Sequence, residues 1–181
     1  MKTKIIRSLF IVLCGGVLFY SCLTSCNNSN PVEAEEYGYG DDYIIYSKVL
    51  SETIAQEDIL IVLNDSTGQE DFIGDNFEYF LEKFPEANRE TFEKYIIANQ
   101  GKTKLKRIRG IEFVFQSDYD ESAGNKVNVY LSNIGYNSDK TEAFVSMGAL
   151  YAPLAGNGSL IFLVKINDQW QIEKSVMTWI S

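Results

Sequence analysis

The sequence predicts an α+β domain in which N-terminal helices pack on a curved antiparallel sheet, formed mainly by a C-terminal four-strand meander. Three observations predict it. Apolar residues recur at helical spacing as far as Gln100. Beyond Gly101 the apolar pattern changes to period two. Turn-forming residues then cut the second half into short segments joined by tight connections. Helices first and strands afterwards argue for α+β rather than alternating α/β, and no internal repeat of fixed period is visible.

Taken in order, residues 26–42 are polar and acidic, hold Gly38 and Gly40, and cannot bury an apolar face. They read as a flexible linker, with docking of Tyr37 and Tyr39 on the domain as the alternative; the domain is expected over residues 43–181. A first helix is predicted from about Asp42 to Ala55. Asp41 or Asp42 can cap it, and Tyr43, Tyr46, Leu50 and Ile54 recur at helical spacing beside Val49. The branched run Ile59–Leu63, bounded by acids and Asn64, reads as a buried strand. Residues 64–74 read as loop. A second helix follows, with Asp75 and Glu78 at capping-box spacing. Phe77, Phe80, Leu81 and Phe84 form its apolar face, and Pro85 stops it. A third helix spans about Arg89 to Gln100 with Phe92, Tyr95 and Ile96 on one side, and Gly101 is placed to close it.

Ile111, Phe113 and Phe115 then alternate with Glu112 and Val114. Strands are predicted at 127–134, Ala143–Tyr151, Leu160–Ile166 and Trp170–Ile180. The turns between them fall at Asn137–Lys140, Pro153–Gly158 and Asn167-Asp168. Leu160, Phe162, Val164 and Ile166 point one way and Ile161 and Leu163 the other, so both faces of this strand need cover. The three helices are expected to cover one face. The other calls for a pocket under a curved sheet, a further strand layer or a partner. Trp170 and Trp179 are expected in the core.

Residues 1–25 read as an export signal. Lys2, Lys4 and Arg7 give a positive start, and an apolar run from Ile5 to Tyr20 follows, too short and too poorly flanked for a comfortable membrane span. Leu23-Thr24-Ser25-Cys26 resembles the lipobox of bacterial lipoproteins. That resemblance implies cleavage before Cys26, lipidation of Cys26 (palmitate among its acyl chains) and an acylated N-terminus. Cys22 is the competitor, but the bulky Phe19 and Tyr20 precede it where small residues are wanted. An ordinary secretory signal or an uncleaved anchor are the alternatives. Two or more acyl chains make a durable tether. Asn27 is not the Asp that retains enteric lipoproteins at the inner membrane, so the expected location is the bacterial cell envelope, in the outer membrane, facing periplasm or medium.

The 181 residues include 25 acidic and 16 basic ones, a net charge of −9, with three Cys and no His. Three of the basic residues lie in the leader, so cleavage leaves 156 residues with 13 basic and 25 acidic side chains, or −12. Without His there is no Ser-His-Asp or Cys-His apparatus and no HExxH zinc site. The acidic balance argues against a nucleic-acid partner. With Cys14 and Cys22 removed and Cys26 lipidated, the mature domain has neither disulfide nor thiol chemistry. A domain of −12 is expected to be repelled by anionic head groups and to stand off the membrane on its linker.

Several motifs invite chemistry and are outweighed. Asp118-x-Asp120-x-Ser122-x-Gly124 alternates oxygen ligands as calcium loops do. An EF-hand counted from Asp118 would need Gly and Glu where Ala123 and Val129 stand, so a solvated turn is the better reading. Lys102, Lys104, Lys106, Arg107 and Arg109 place five of the 13 mature basic residues within eight positions. They could bind a phosphate, a sulfated glycan or an acidic partner. A solvated edge strand, where charge discourages pairing, is the preferred reading. Gly156-Asn157-Gly158 lacks the rest of a phosphate loop and reads as a hairpin connection at positive φ. There is no GxSxG elbow and no S-x-x-K motif. No catalytic, cofactor-binding or metal-binding residue is assigned; lipidation at Cys26 is the one site predicted.

Leu131-Ser132-x-Ile134-Gly135-Tyr136-Asn137, Asp139-Lys140-Thr141-x-Ala143, Gly156-x-Gly158, Trp170-x-Ile172 and the tail Val176-Met177-Thr178-Trp179-Ile180-Ser181 are similar to those of a group of uncharacterised bacterial lipoproteins of Bacteroidota type. The resemblance covers residues 43–181, is strongest after 131, and implies no site residue. A weaker, fold-level likeness is to nuclear transport factor 2-like domains, which wrap a curved sheet with helices. The expected role is a non-catalytic, lipid-anchored binding or accessory module. It would hold the membrane through its N-terminal lipid and take an unknown protein or small-molecule ligand. An inhibitor or immunity-like lipoprotein is the alternative, and a hydrolase independent of His and Cys a third.

Overall fold

The computed structural model describes residues 37–54, 59–68, 71–120 and 124–181. The expected signal peptide, Cys26 and the linker as far as residue 36 lie outside the described residues. Among the described residues four helices come first, interrupted by one strand: α1 (Asp41–Thr53), β1 (Leu60–Leu63), α2 (Asp71–Asp75), α3 (Phe77–Lys83) and α4 (Arg89–Ala98). Then follow β2 (Val114–Phe115), β3 (Lys126–Leu131), β4 (Gly135–Tyr136), β5 (Glu142–Ala152), β6 (Ala155–Ile166) and β7 (Gln169–Ile180). The fold is α+β, built on one open seven-stranded sheet in the order β2-β1-β3-β5-β6-β7, with β4 continuing along the β3 side of β5.

The meander β3 to β7 is antiparallel as expected. The sheet as a whole is mixed, because β1 lies parallel to both β2 and β3. Parallel pairing needs a long crossover, and the helices between β1 and β2 provide one. The β6–β7 hairpin turns on Asn167 and Asp168, both at positive φ, as a two-residue type I′ turn requires.

The period of two sorts the sheet's side chains between two cores. On β5, Ala143, Val145, Met147 and Ala149 face α1, whose Ile45, Tyr46, Val49 and Leu50 bury against them. Phe144 points the other way, with Leu160 and Phe162, into an aromatic cluster with Phe80, Phe84, Phe92 and Tyr95 of the later helices. Phe144 and Phe162 are cross-strand neighbours with ring centroids 4.9 Å apart, and Phe84 meets Phe144 edge-on at 5.0 Å. Such pairs add about 0.5–1.5 kcal/mol each beyond the area they bury. The expectation that all helices share one face is therefore corrected: α1 takes one face and α2–α4 the other. The central strands are apolar on both faces because both are covered by helix.

Local chemistry moves several other boundaries. The third predicted helix starts at Arg89 as expected, and Asn88 caps it by accepting from the Glu90 N–H at 3.0 Å. The Asp75–Glu78 box does not form; the chain breaks at Asn76 between α2 and α3, and α2 occupies residues read as loop. Asn99, rather than Gly101, closes α4. Its Nδ2 donates to Tyr95 O and to Asn133 O, while Asn133 N–H donates back to Asn99 Oδ1 at 2.8 Å. Asn133 Nδ2 then donates to Ala98 O and Gly101 O. This reciprocal clasp satisfies the carbonyls that a helix end leaves open.

Gly156 and Gly158 are also reassigned. They lie inside β6, not in a loop, and neither has positive φ. The reason is space. A Cβ on Gly158 would lie 2.0 Å from Trp179 Nε1, and one on Gly156 would lie 2.6 Å from Ala149 O. Trp170 is core, 4% exposed. Trp179 is not: 38% exposed, its indole lies over the glycine floor of Gly148 and Gly158. Opposite it, β7 carries two bulges, where Thr178 and Glu173 have no partner in β6.

Candidate binding groove

Residues 37–42 pack on the domain, so the expectation of a solvated linker is corrected over these six residues. Tyr37 bridges to Arg107, and Gly38 N–H donates to Arg107 O at 3.0 Å. Gly38 passes so close to the Tyr43 ring that a Cβ would meet it at 2.0 Å. Gly40, at φ +85°, makes the left-handed turn into α1 that other residues resist. The alternation Tyr37-Gly38-Tyr39-Gly40 is thus a docking element.

The first turn of α1 is fastened to the sheet. Lys165 Nζ lies 3.1 Å from Asp41 Oδ2, and Tyr136 donates its hydroxyl to Asp42 at 2.6 Å. Burial, then that hydrogen bond and the charge of Asp42, push the Tyr136 phenol far above its ordinary value. Tyr46, on the buried side of α1, donates to Ser132 O at 3.0 Å, and burial raises its phenol in the same direction.

With Ile45, Tyr46 and Val49 turned inward, the opposite side of α1 presents Ile44, Ser47, Lys48, Ser51 and Glu52. Together with Tyr39, Tyr43 and Arg109 these residues line an open groove of about 570 Å³ between the docked segment and the helix. Its apolar wall is exposed, with Tyr39 at 60% and Ile44 at 55%. Its rim is charged. Lys48 pairs with Glu52 at 2.6 Å, and the Arg109 guanidinium lies 5.5 Å from the Tyr37 ring centroid. Ser47 Oγ donates to Arg109 O, and Lys106 N–H donates to the Tyr43 hydroxyl, so backbone contacts hold both walls. A volume of this size suits a small ligand.

The basic run lies beside this groove. It is not an edge strand: only isolated bridges form, at Lys104 with Ser66 and at Arg107 with Tyr37. Leu105 and Ile108 are buried in the core under α1, which turns Lys102, Lys104, Lys106 and Arg109 outward. The calcium-like stretch is placed only in part, since residues 121–123 lie outside the described residues. Asp118 belongs to a 3₁₀ turn in which Ser117 binds Asp65 at 2.5 Å. No group of three or more candidate metal ligands occurs among the described residues.

Sequence reasoning missed the groove because the segment before α1 is held in place by Arg107 and Arg109, about 70 residues further along the chain, and only contact brings them together. The one available signal was two aromatics alternating with two glycines directly before a helix. Comparison of the chain with family models, with curated proteins and with solved structures gives no match.

Proposed function

We propose that the chain is a lipid-anchored protein of the bacterial cell envelope, held in the outer membrane through Cys26, whose domain is a non-catalytic binding module. The observation that carries the binding reading is the groove between Tyr39, Tyr43, Ile44 and Arg109, about 570 Å³ and open to solvent. Half-exposed tyrosines beside an aliphatic wall and a polar rim suit a small ligand with one flat apolar face, as a sugar ring has. The sequence supports the same reading, since a chain without His lacks the commonest general base at neutral pH.

Two measurements test it. Incorporation of a labelled palmitate analogue should occur in the wild type and vanish in Cys26→Ala; equal labelling would sink the anchor. A photo-cross-linker placed at Ile44 in the full chain, in its native cell, should capture a small molecule or glycan, whereas one at Tyr79 on α3 should not. A second reading, an inhibitor or accessory protein with a protein partner, is favoured by the apolar end of β7, where Met177, Trp179 and Ile180 are exposed. A stoichiometric protein adduct from position 177, with none from 44, would select it.

A further inference from the structure

We propose that the stripe Lys102-Lys104-Lys106-Arg107-Arg109 is a membrane-facing surface that docks the domain on anionic phospholipid head groups. The inference rests on the anchored reading and refines it. Treating the mature chain as uniformly −12 predicts repulsion, but the charge is segregated. The stripe holds five cations within eight residues, leaving eight basic against 25 acidic side chains, or −17, on the rest of the mature chain. An anionic plane attracts one edge of such a domain and repels the remainder, which is an orienting torque.

Three observations favour that edge as the docking face. Among the described residues, Lys102, Lys104 and Lys106 are exposed and make no ion pair, so no neighbouring acid offsets their charge. The stripe is also rigid. Thr67 N–H donates to Thr103 O, Leu105 N–H to Asp65 O and Gly38 N–H to Arg107 O, and buried Leu105 and Ile108 fix which side faces out. Finally, Tyr37 bridges to Arg107 and lies under Arg109, so a residue only eleven positions after Cys26 touches the stripe. From Cys26 to Tyr37 the chain can span at most about 40 Å. A tether of that length keeps the stripe near the surface, and docking brings it within the roughly 8 Å over which the surface charge acts. Each cation that reaches such a surface multiplies the docked population by about five.

The test uses the full lipidated chain in vesicles and reads lysine acetylation rates by mass spectrometry, residue by residue. In vesicles containing about one-third phosphatidylglycerol at low salt, Lys102, Lys104 and Lys106 should react about three- to tenfold more slowly than in pure phosphatidylcholine, and salt near 0.5 M should restore their rates. Lys83, on α3, is the internal reference and should not change. Equal stripe rates in the two lipids, on a chain whose mass shows the lipid, overturn the docking inference alone. A chain without lipid on Cys26 overturns the anchor and this inference with it. Salt-independent protection would also overturn it, since contact would then not be electrostatic.

Discussion

Gly135 is the point where helix and sheet touch backbone to backbone, and replacing it with Ala should cost far more than one methyl group suggests. Gly135 pairs with Phe144 across β4 and β5, so its missing side chain would point into the aromatic cluster under α4. A Cβ there would lie 2.1 Å from Tyr95 Cα and 2.2 Å from Tyr95 N. Carbon atoms in contact prefer about 3.5–4.0 Å, so α4 must retreat by roughly 1.5 Å. It cannot evade the clash by rotating a side chain. A ten-residue helix is about 15 Å long and about 10 Å across. Lifting one end opens a wedge of roughly 100 Å³ beside Phe92, Tyr95 and Phe144, and at about 24 cal/mol per Å³ this costs about 2–3 kcal/mol. Urea unfolding at pH 7 should show the unfolding free energy falling by that amount, through a lower midpoint at unchanged slope. Gly101→Ala is the control: a Cβ there meets nothing within 4 Å, φ is not positive, and the change should stay within about 0.5 kcal/mol. A Gly135→Ala variant as stable as the control would refute the reasoning, because α4 would then have room that the distances deny.

Further outcomes follow from the same geometry. Tyr46→Phe strips a buried carbonyl, Ser132 O, of its donor and should destabilise by about 1–2 kcal/mol in the same assay; a loss below about 0.5 kcal/mol would mean that water serves that oxygen. Tyr46 and Tyr136 keep their protons in the folded state well above pH 10, while the unfolded chain loses them there. Their stabilising contribution is therefore complete below pH 10 and declines above it by about 2.7 kcal/mol per pH unit for the pair. A Tyr46→Phe, Tyr136→Phe double variant should show a correspondingly flatter alkaline decline, and identical slopes would contradict it. Gly158→Ala should lift the Trp179 indole off its floor, red-shift the emission and cost about 1–2 kcal/mol, less than Gly135→Ala because a half-exposed side chain can move; unchanged emission would show that the indole does not rest there.

The parts of this fold that were legible in the sequence are those that local periodicity dictates. The runs 143–151 and 160–166 mark strands, the second of them apolar on both faces, and Asn167-Asp168 marks a hairpin, because each depends on neighbours in the chain. What was not legible depends on partners far away. Nothing in the run Ile59–Leu63 says that it lies parallel to β3, and nothing in α1 says that it takes the opposite face from α4. Gly156 and Gly158 look like loop residues until the Trp179 indole and Ala149 carbonyl are placed against them. The basic run has the charge of an edge strand, yet Leu105 and Ile108 reveal their role only when α1 covers them. The groove was the least legible feature of all, since an exposed Tyr39 and an exposed Ile44 are unremarkable singly.

The two bulges of β7 bear on how copies of this protein tolerate crowding. Among the described residues no strand lies on the outer side of β7, so twelve residues of backbone end the sheet there. The bulges at Thr178 and Glu173 divide its regular pairing into runs of two, four and four residues. A neighbour approaching in register would lose its hydrogen bonds at each interruption, and Lys174 would add a charge at the middle run. Crowding raises collision frequency between edges without raising the reward for any one collision. The strand can therefore stay long enough to complete the hydrophobic layer and still resist stacking into ribbons.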